Sequence, residues 1–190
     1  MTTRRLFLIR HGETDGDSSV RFHGRNDVPL SPAGRMQMRR VHWKLRDQVI
    51  DAWVASTLRR SWEGARIASG GARVRLDPDL REVDFGRWEG LTRDEIEAQD
   101  PEAHARWQQA TPERGFDFPG GETAAAFRAR VSGATDRMLA SGDPCAAAVL
   151  HKGVIRQMLR HLGIADPGPS RPALAEVLRL GRLEETWRLL

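Results

Sequence analysis

Leu6-Phe7-Leu8-Ile9-Arg10-His11-Gly12-Glu13-Thr14 joins a short apolar run to a charged cluster opened by glycine. An apolar run of this length bounded by Gly reads as a buried strand, so the charged residues stand at its C-terminal end. Open α/β sheets bind their ligands at that edge. The residue types suit phosphorus chemistry. A guanidinium forks onto phosphate oxygens, and a neutral imidazole can attack phosphorus as a nucleophile. Taken alone, Arg10-His11-Gly12 also fits a surface turn, so the rest of the chain decides the reading.

Outward from this junction, strand-like and helical stretches alternate. Ser31-Pro32 starts a helix, with Ser as N-cap and Pro in the first turn. Gly34, Met38, Val41 and Leu45 form its apolar stripe. The pattern predicts a strand over Val49 to Ala55, a helix from a Ser56-Thr57 cap to about Ser69, and a short strand near Val74. Thr92 to Gln109 reads as helix interrupted at Asp100-Pro101. A turn-rich loop over Phe116 to Gly121 leads into a helix with Phe127, Val131, Ala134 and Met138 on one face. Ala146 to Leu150 is a continuous apolar strand, followed by a helix from about Val154 to His161. Leu174 to Leu180 and Glu185 to Leu190 are expected to complete the sheet. The alternation predicts an α/β fold, a three-layer α/β/α sandwich with a mostly parallel central sheet. One domain over 1–190 is expected, with about 80–121 as an excursion over the site.

Composition narrows the function classes. With 190 residues, 39% hydrophobic and 29% charged, the chain reads as an ordinary globular protein with a real core. The net charge is +4, from 30 Lys and Arg, nearly all Arg, against 26 Asp and Glu. These charges interleave along the chain with no basic arm, so no nucleic-acid partner is expected. No run of eighteen apolar residues exists, so no membrane span is expected. The N-terminal residues enter a strand too soon for a signal peptide. Cys145 is the lone cysteine, which excludes an internal disulfide and a cysteine metal cluster and fits a cytoplasmic location. The six tryptophans serve a core or an interface. The oligomeric state stays open, a homodimer among the expectations.

Two further strand ends carry chemistry. The predicted second strand runs into Ser56-Thr57-Leu58-Arg59-Arg60, and the late apolar strand ends at His151-Lys152-Gly153. Parallel strands bring these ends to one edge, where helix N-termini add N–H groups that favour anions. Alone, Arg60 fits a surface ion pair and His151 a helix cap. Together with Arg10 and His11 they point to one anion site. Phosphoryl transfer also needs a proton donor for the leaving alkoxide. The segment Leu80 to Gly90 offers Glu82, Asp84 and Glu89 among apolar neighbours. Residue chemistry does not choose among the three.

Several stretches, in order along nearly the whole chain, resemble the histidine phosphatase superfamily, the phosphoglycerate mutase-like proteins, in its shorter phosphatase branch. Leu8-Ile9-Arg10-His11-Gly12-Glu13-Thr14 and Gly24-Arg25-Asn26-Asp27-Val28-Pro29-Leu30-Ser31 are similar to the two halves of the family's opening signature. Leu80 to Gly90 resembles its acid-bearing segment, Phe118-Pro119-Gly120-Gly121-Glu122-Thr123 its loop into a helix, and Val149 to Arg156 its second-histidine motif. The resemblance implies a phosphoglycerate mutase-like fold and a metal-independent phosphomonoesterase without cofactor, acting on a small phosphorylated metabolite. It makes His11 the nucleophile, Arg10, Arg60 and His151 the ligands of the phosphoryl oxygens, and Glu82 the proton donor. Thr14, Asp17, His23, Gly24, Arg25 and Lys152 are the implied substrate neighbours. Asp17 stands where the family usually has Asn, and Arg21 or Arg25 is expected to pair with it. Lys152 replaces a frequent Gly and is expected to face solvent. His23 replaces a common Gln and is expected beside substrate, while Gly64 replaces Thr in a packing position. Phosphoglycerate mutase-type transfer belongs to a longer chain with added segments. A catalytically weak binder of phosphorylated ligands is the remaining alternative, and the presence of both His11 and Glu82 favours catalysis over it.

Overall fold

A computed structural model describes residues 4–111, 114–166, 168 and 171–190. Six strands form one sheet: β1 Arg5–Arg10, β2 Ala52–Ala55, β3 Val74–Leu76, β4 Cys145–Leu150, β5 Val177–Leu183 and β6 Thr186–Leu189. Their spatial order is β3-β2-β4-β1-β5-β6. The first four are parallel, and β5 and β6 add an antiparallel edge. Six helices are described: α1 Pro32–Leu45, α2 Arg59–Ala68, α3 Arg93–Gln99, α4 Pro101–Gln108, α5 Ala124–Ala140 and α6 Lys152–His161.

Alternation along β1 separates the layers. Phe7 and Ile9 pack with Met38, Val41 and Leu45 of α1 and with Ala65 and Ala68 of α2. Leu6 and Leu8 pack with Val131, Ala134 and Met138 of α5 and with Val154, Ile155, Met158 and Leu159 of α6. Period-two strands and helical stripes thus meet on both faces of one sheet. Residues of the 80–121 segment, joined by Phe22, build a third cluster around Trp88, Ile96 and Ala103.

Local chemistry explains most boundaries. Ser31 caps α1 by accepting from the Gly34 N–H at 3.0 Å, as its sequence predicts. Thr92 and Glu95 form a capping box on α3, and Asp100 caps α4 behind its Pro101. Three of the boundaries that differ from the sequence expectation have a visible local cause. The second strand begins at Ala52, because Asp51 instead ties the chain to Cys145 through both its backbone and its carboxylate. The fifth strand starts at Val177: Ala175, in a left-handed conformation, gives its N–H to the carbonyls of Arg10 and His11. Ser56 and Thr57 do not cap α2. Its N-cap is Leu58, and the Asp27 carboxylate accepts from the Arg59 N–H at 2.5 Å.

Candidate active site

The register between β1 and β4 builds the centre. Arg10 pairs with Leu150, and the His11 N–H donates to the Leu150 carbonyl at 2.9 Å. The residues that follow each strand therefore emerge side by side, and the rings of His11 and His151 lie 5.2 Å apart edge to face. Both are buried. His11 Nδ1 lies 2.7 Å from the Gly12 carbonyl oxygen. A carbonyl only accepts, so Nδ1 carries the proton and Nε2 keeps its lone pair. Burial pushes the His11 pKa well below its usual value, and the nearby Arg60 and Arg10 guanidiniums push the same way. The ring is neutral.

His151 is also held neutral, first by burial and then by Arg60, His11 and Arg10. Its Nε2 lies 2.7 Å from the Ser56 hydroxyl, which also accepts from the Leu58 N–H at 3.2 Å. The hydroxyl proton is then free to go to Nε2, leaving Nδ1–H to point elsewhere. Ser56, expected as a helix cap, instead orients this ring. Arg60 is fully buried and spends its two terminal nitrogens on loop carbonyls: Asn26 at 2.7 Å, His23 at 2.7 Å and Gly24 at 2.9 Å. Arg10 donates to the Pro172 carbonyl at 3.1 Å. Burial lowers both guanidinium pKa values while Glu82 raises them, and arginine stays charged. Arg10 Nε, Arg60 Nε and His151 Nδ1 are buried without a protein partner. Buried donors are rarely left so, and three around one histidine define an anion site.

The three candidate acids separate clearly. Glu89 is consumed by backbone: it accepts from the N–H groups of Gly24, Arg25, Asn26 and Phe85 at 2.9–3.3 Å. It thereby shapes the loop whose carbonyls grip Arg60. Asp84 accepts from the Gly86 N–H at 2.8 Å and faces Arg25 at 3.5 Å. Glu82 alone of the three reaches the helix that follows His151. Its carboxylate accepts from the Gly153 N–H at the start of α6 at 3.1 Å, and it acts electrostatically on Arg10, Arg60 and Lys152. A Cβ on Gly153 would lie 2.5 Å from Glu82 Oε1, so a side chain there would push the Glu82 carboxylate out of this position.

Sequence reading missed Arg130. From α5 it grips both Glu122 oxygens, at 2.6 and 2.7 Å, and the carbonyls of Asp79, Arg81 and Glu82 at 2.6–3.0 Å. It fixes the turn that presents Glu82. Its position beside the Phe127-Val131-Ala134 stripe was the available signal, since an Arg bordering an apolar stripe is set to reach inward.

The implied substrate neighbours divide. Thr14 is buried, and its hydroxyl accepts from the Ser18 N–H at 3.3 Å, a role inside its own loop. Gly24 packs under Val83 and serves Arg60. Asp17 is exposed in a left-handed turn. Its expected partners are engaged elsewhere, Arg21 with Glu95 at 2.9 Å and Arg25 with Asp84. The His23 ring meets the Gly16 carbonyl and lies near enough to His11 to lower its pKa. Lys152 does not face solvent as expected: it is half-buried and lines a cavity with Glu82 and Gly153. Gly64 is buried against Val149 and Met38, a packing role.

Comparison with known proteins matches residues 6–190 to the histidine phosphatase superfamily (branch 1). The chain is 36% identical over 163 residues to a bifunctional protein of Mycobacterium tuberculosis, covering 84% of this chain and 44% of that protein. It thus spans less than half the length of that relative. It is 31% identical over 166 residues to the adenosylcobalamin/alpha-ribazole phosphatase of Salmonella typhimurium, covering 83% of this chain and 79% of the other. The solved structure of mycobacterial glucosyl-3-phosphoglycerate phosphatase superposes with a TM-score of 0.81 at 28% identity, covering 98% and 97% of the two chains.

Proposed function

Because the chain belongs to the histidine phosphatase superfamily (branch 1), we propose that it is a metal-independent phosphomonoesterase that hydrolyses a small phosphorylated metabolite through phosphohistidine at His11. The observation that carries this reading is the neutral His11, its Nε2 lone pair freed by the Nδ1–Gly12 bond and faced by unpartnered donors of Arg10, Arg60 and His151. Relatives named as phosphatases of small metabolites support the reaction class.

His11 Nε2 attacks phosphorus, the ester P–O bond breaks, and Glu82, which must enter this step as the carboxylic acid, gives its proton to the departing alkoxide and becomes the carboxylate. Water then attacks the phosphohistidine, Glu82 takes a proton from it, the P–N bond breaks, and phosphate leaves. Arg10, Arg60 and the His151 N–H hold the three phosphoryl oxygens throughout and gather the charge that builds in each transition state. Removing one such donor is expected to cost about 10²–10³-fold in kcat. The two guanidiniums supply the positive charge that a divalent ion supplies in other phosphoryl transfers, and neutral His151 adds a hydrogen-bond donor. A cytoplasmic site of action belongs to the same reading, in keeping with the lone buried thiol of Cys145.

The test is hydrolysis of p-nitrophenyl phosphate in EDTA, with vanadate as inhibitor and quenched enzyme assayed for acid-labile phosphate. His11→Ala is expected to abolish both turnover and the labile phosphate. Full activity in that variant overturns the mechanism, and loss of wild-type activity in EDTA overturns metal independence.

A further inference from the structure

Glu82, the proposed proton donor, lines a cavity of about 590 Å³ together with Lys152 and Gly153, so the leaving group that Glu82 would protonate has this cavity beside it. One wall is aromatic and made of half-buried Phe22, Phe85, Trp107, Phe116 and Phe118. These rings are fixed by one another and by buried Trp88: Phe22–Phe85 meet edge to face at 5.0 Å, Phe85–Phe118 at 4.9 Å, and Trp88 stacks on Phe116 at 5.3 Å. A wall of mutually wedged rings presents flat faces and edges that suit another planar ring.

The lining is also cationic. Lys152, Arg156 and Arg160 recur every four residues on α6, so they line one face of the helix from the Glu82 end outward. Arg128 joins them from α5, and Arg93 stands at the rim with its guanidinium 5.2 Å from the Trp107 ring. Among the described residues, the lining sets one carboxylate, Glu82, against these five cations. Asp166 offsets part of this charge by pairing with Arg156 at 2.5 Å and Arg160 at 3.7 Å. The Lys152 pKa is lowered by burial and by the neighbouring Arg10 and Arg156, a crowding of like charge that an anion would relieve.

Resting on the phosphomonoesterase reading, we infer that the natural substrate is a phosphomonoester whose alcohol portion carries a planar aromatic ring and, beyond it, a second anionic group such as a carboxylate. The ring lies against the Phe and Trp wall, and the second anion meets the α6 cations above Lys152. Neither feature is needed for phosphoryl transfer itself, so each acts on selectivity.

Four phosphate esters of primary alcohols separate the two features at similar leaving groups: benzyl phosphate, 4-carboxybenzyl phosphate, cyclohexylmethyl phosphate and trans-4-carboxycyclohexylmethyl phosphate. For the wild-type protein, kcat/KM is expected to be highest for 4-carboxybenzyl phosphate, by about tenfold over both benzyl phosphate and the carboxycyclohexyl ester. Lys152→Met should lower the carboxybenzyl-to-benzyl ratio at least about threefold, and Trp107→Leu should lower the benzyl-to-cyclohexylmethyl ratio. Values for the four esters within twofold of one another, or turnover of p-nitrophenyl phosphate with none of the four, overturn the inference and leave the phosphatase reading standing. Absence of all turnover, with no acid-labile phosphate on His11, overturns both.

Discussion

At the scale of single residues, two hydrogen bonds decide which nitrogens of the site can act. The Gly12 carbonyl takes the His11 Nδ1 proton, and the Ser56 hydroxyl faces His151 Nε2. Ser56→Ala removes the second without touching the proposed nucleophile. It leaves a buried ring nitrogen unpaired and the tautomer of His151 unfixed. The expected result is roughly a tenfold fall in kcat with KM little changed, together with a loss of about 1–3 kcal/mol in urea denaturation. The convergence of Arg10, His11, Arg60 and His151 on one sheet edge was legible in the sequence, because Arg10, His11 and His151 stand at strand ends and Arg60 in the first turn of the helix after one, whereas their roles came from the family resemblance. Ser56 was misread, since a serine ahead of a helix has the same local signature whether it caps that helix or reaches another strand's histidine.

At the scale of elements, α6 matters most through its first turn. In that turn the Gly153 N–H donates to the Glu82 carboxylate, and the absence of a side chain there lets the two come that close. Gly153→Ala places a methyl against Glu82 and should move the proposed proton donor away from the leaving oxygen. Hydrolysis of an alkyl phosphate is then expected to fall at least about tenfold, while p-nitrophenyl phosphate, whose leaving group scarcely needs a proton, falls much less. Equal losses for both esters would remove Glu82 from the acid role. Helices with their own punctuation were readable: Ser31-Pro32 started α1, and Thr92 and Asp100-Pro101 framed α3 and α4. The start of α2 was not, because Asp27 supplies its capping oxygen from a distant loop. Arg130 holds the Glu82 turn through contacts that likewise cross from α5 to another segment, and periodicity carries no trace of such partners.

At the scale of the whole molecule, the buried histidine pair links folding to pH. Both His11 and His151 have pKa values well below the usual 6.5 in the folded protein. Below 6.5 the unfolded chain therefore binds more protons than the folded one, and stability rises with pH across that window. The contribution is fully present above about 6.5 and is lost as pH falls towards the depressed values. Urea midpoints are expected to drop between pH 7 and pH 5, and to drop less in His151→Asn. An identical profile in that variant would assign the effect elsewhere. The lowered carboxylates of Glu13, Asp166 and Glu176 act in a more acidic window, below their ordinary values of 3.8–4.5. The central strand has a further consequence. β1 is hydrogen-bonded on one side to β4 and on the other to β5, both contributed by the last third of the chain. Closing such distant loops is slow. A ribosome-bound chain holding only Arg10, His11, Arg60 and Glu82 thus lacks both a paired β1 and the second histidine. Competence for phosphoryl transfer arrives late in synthesis, and regain of activity on refolding will time the docking of β4 rather than the appearance of helices.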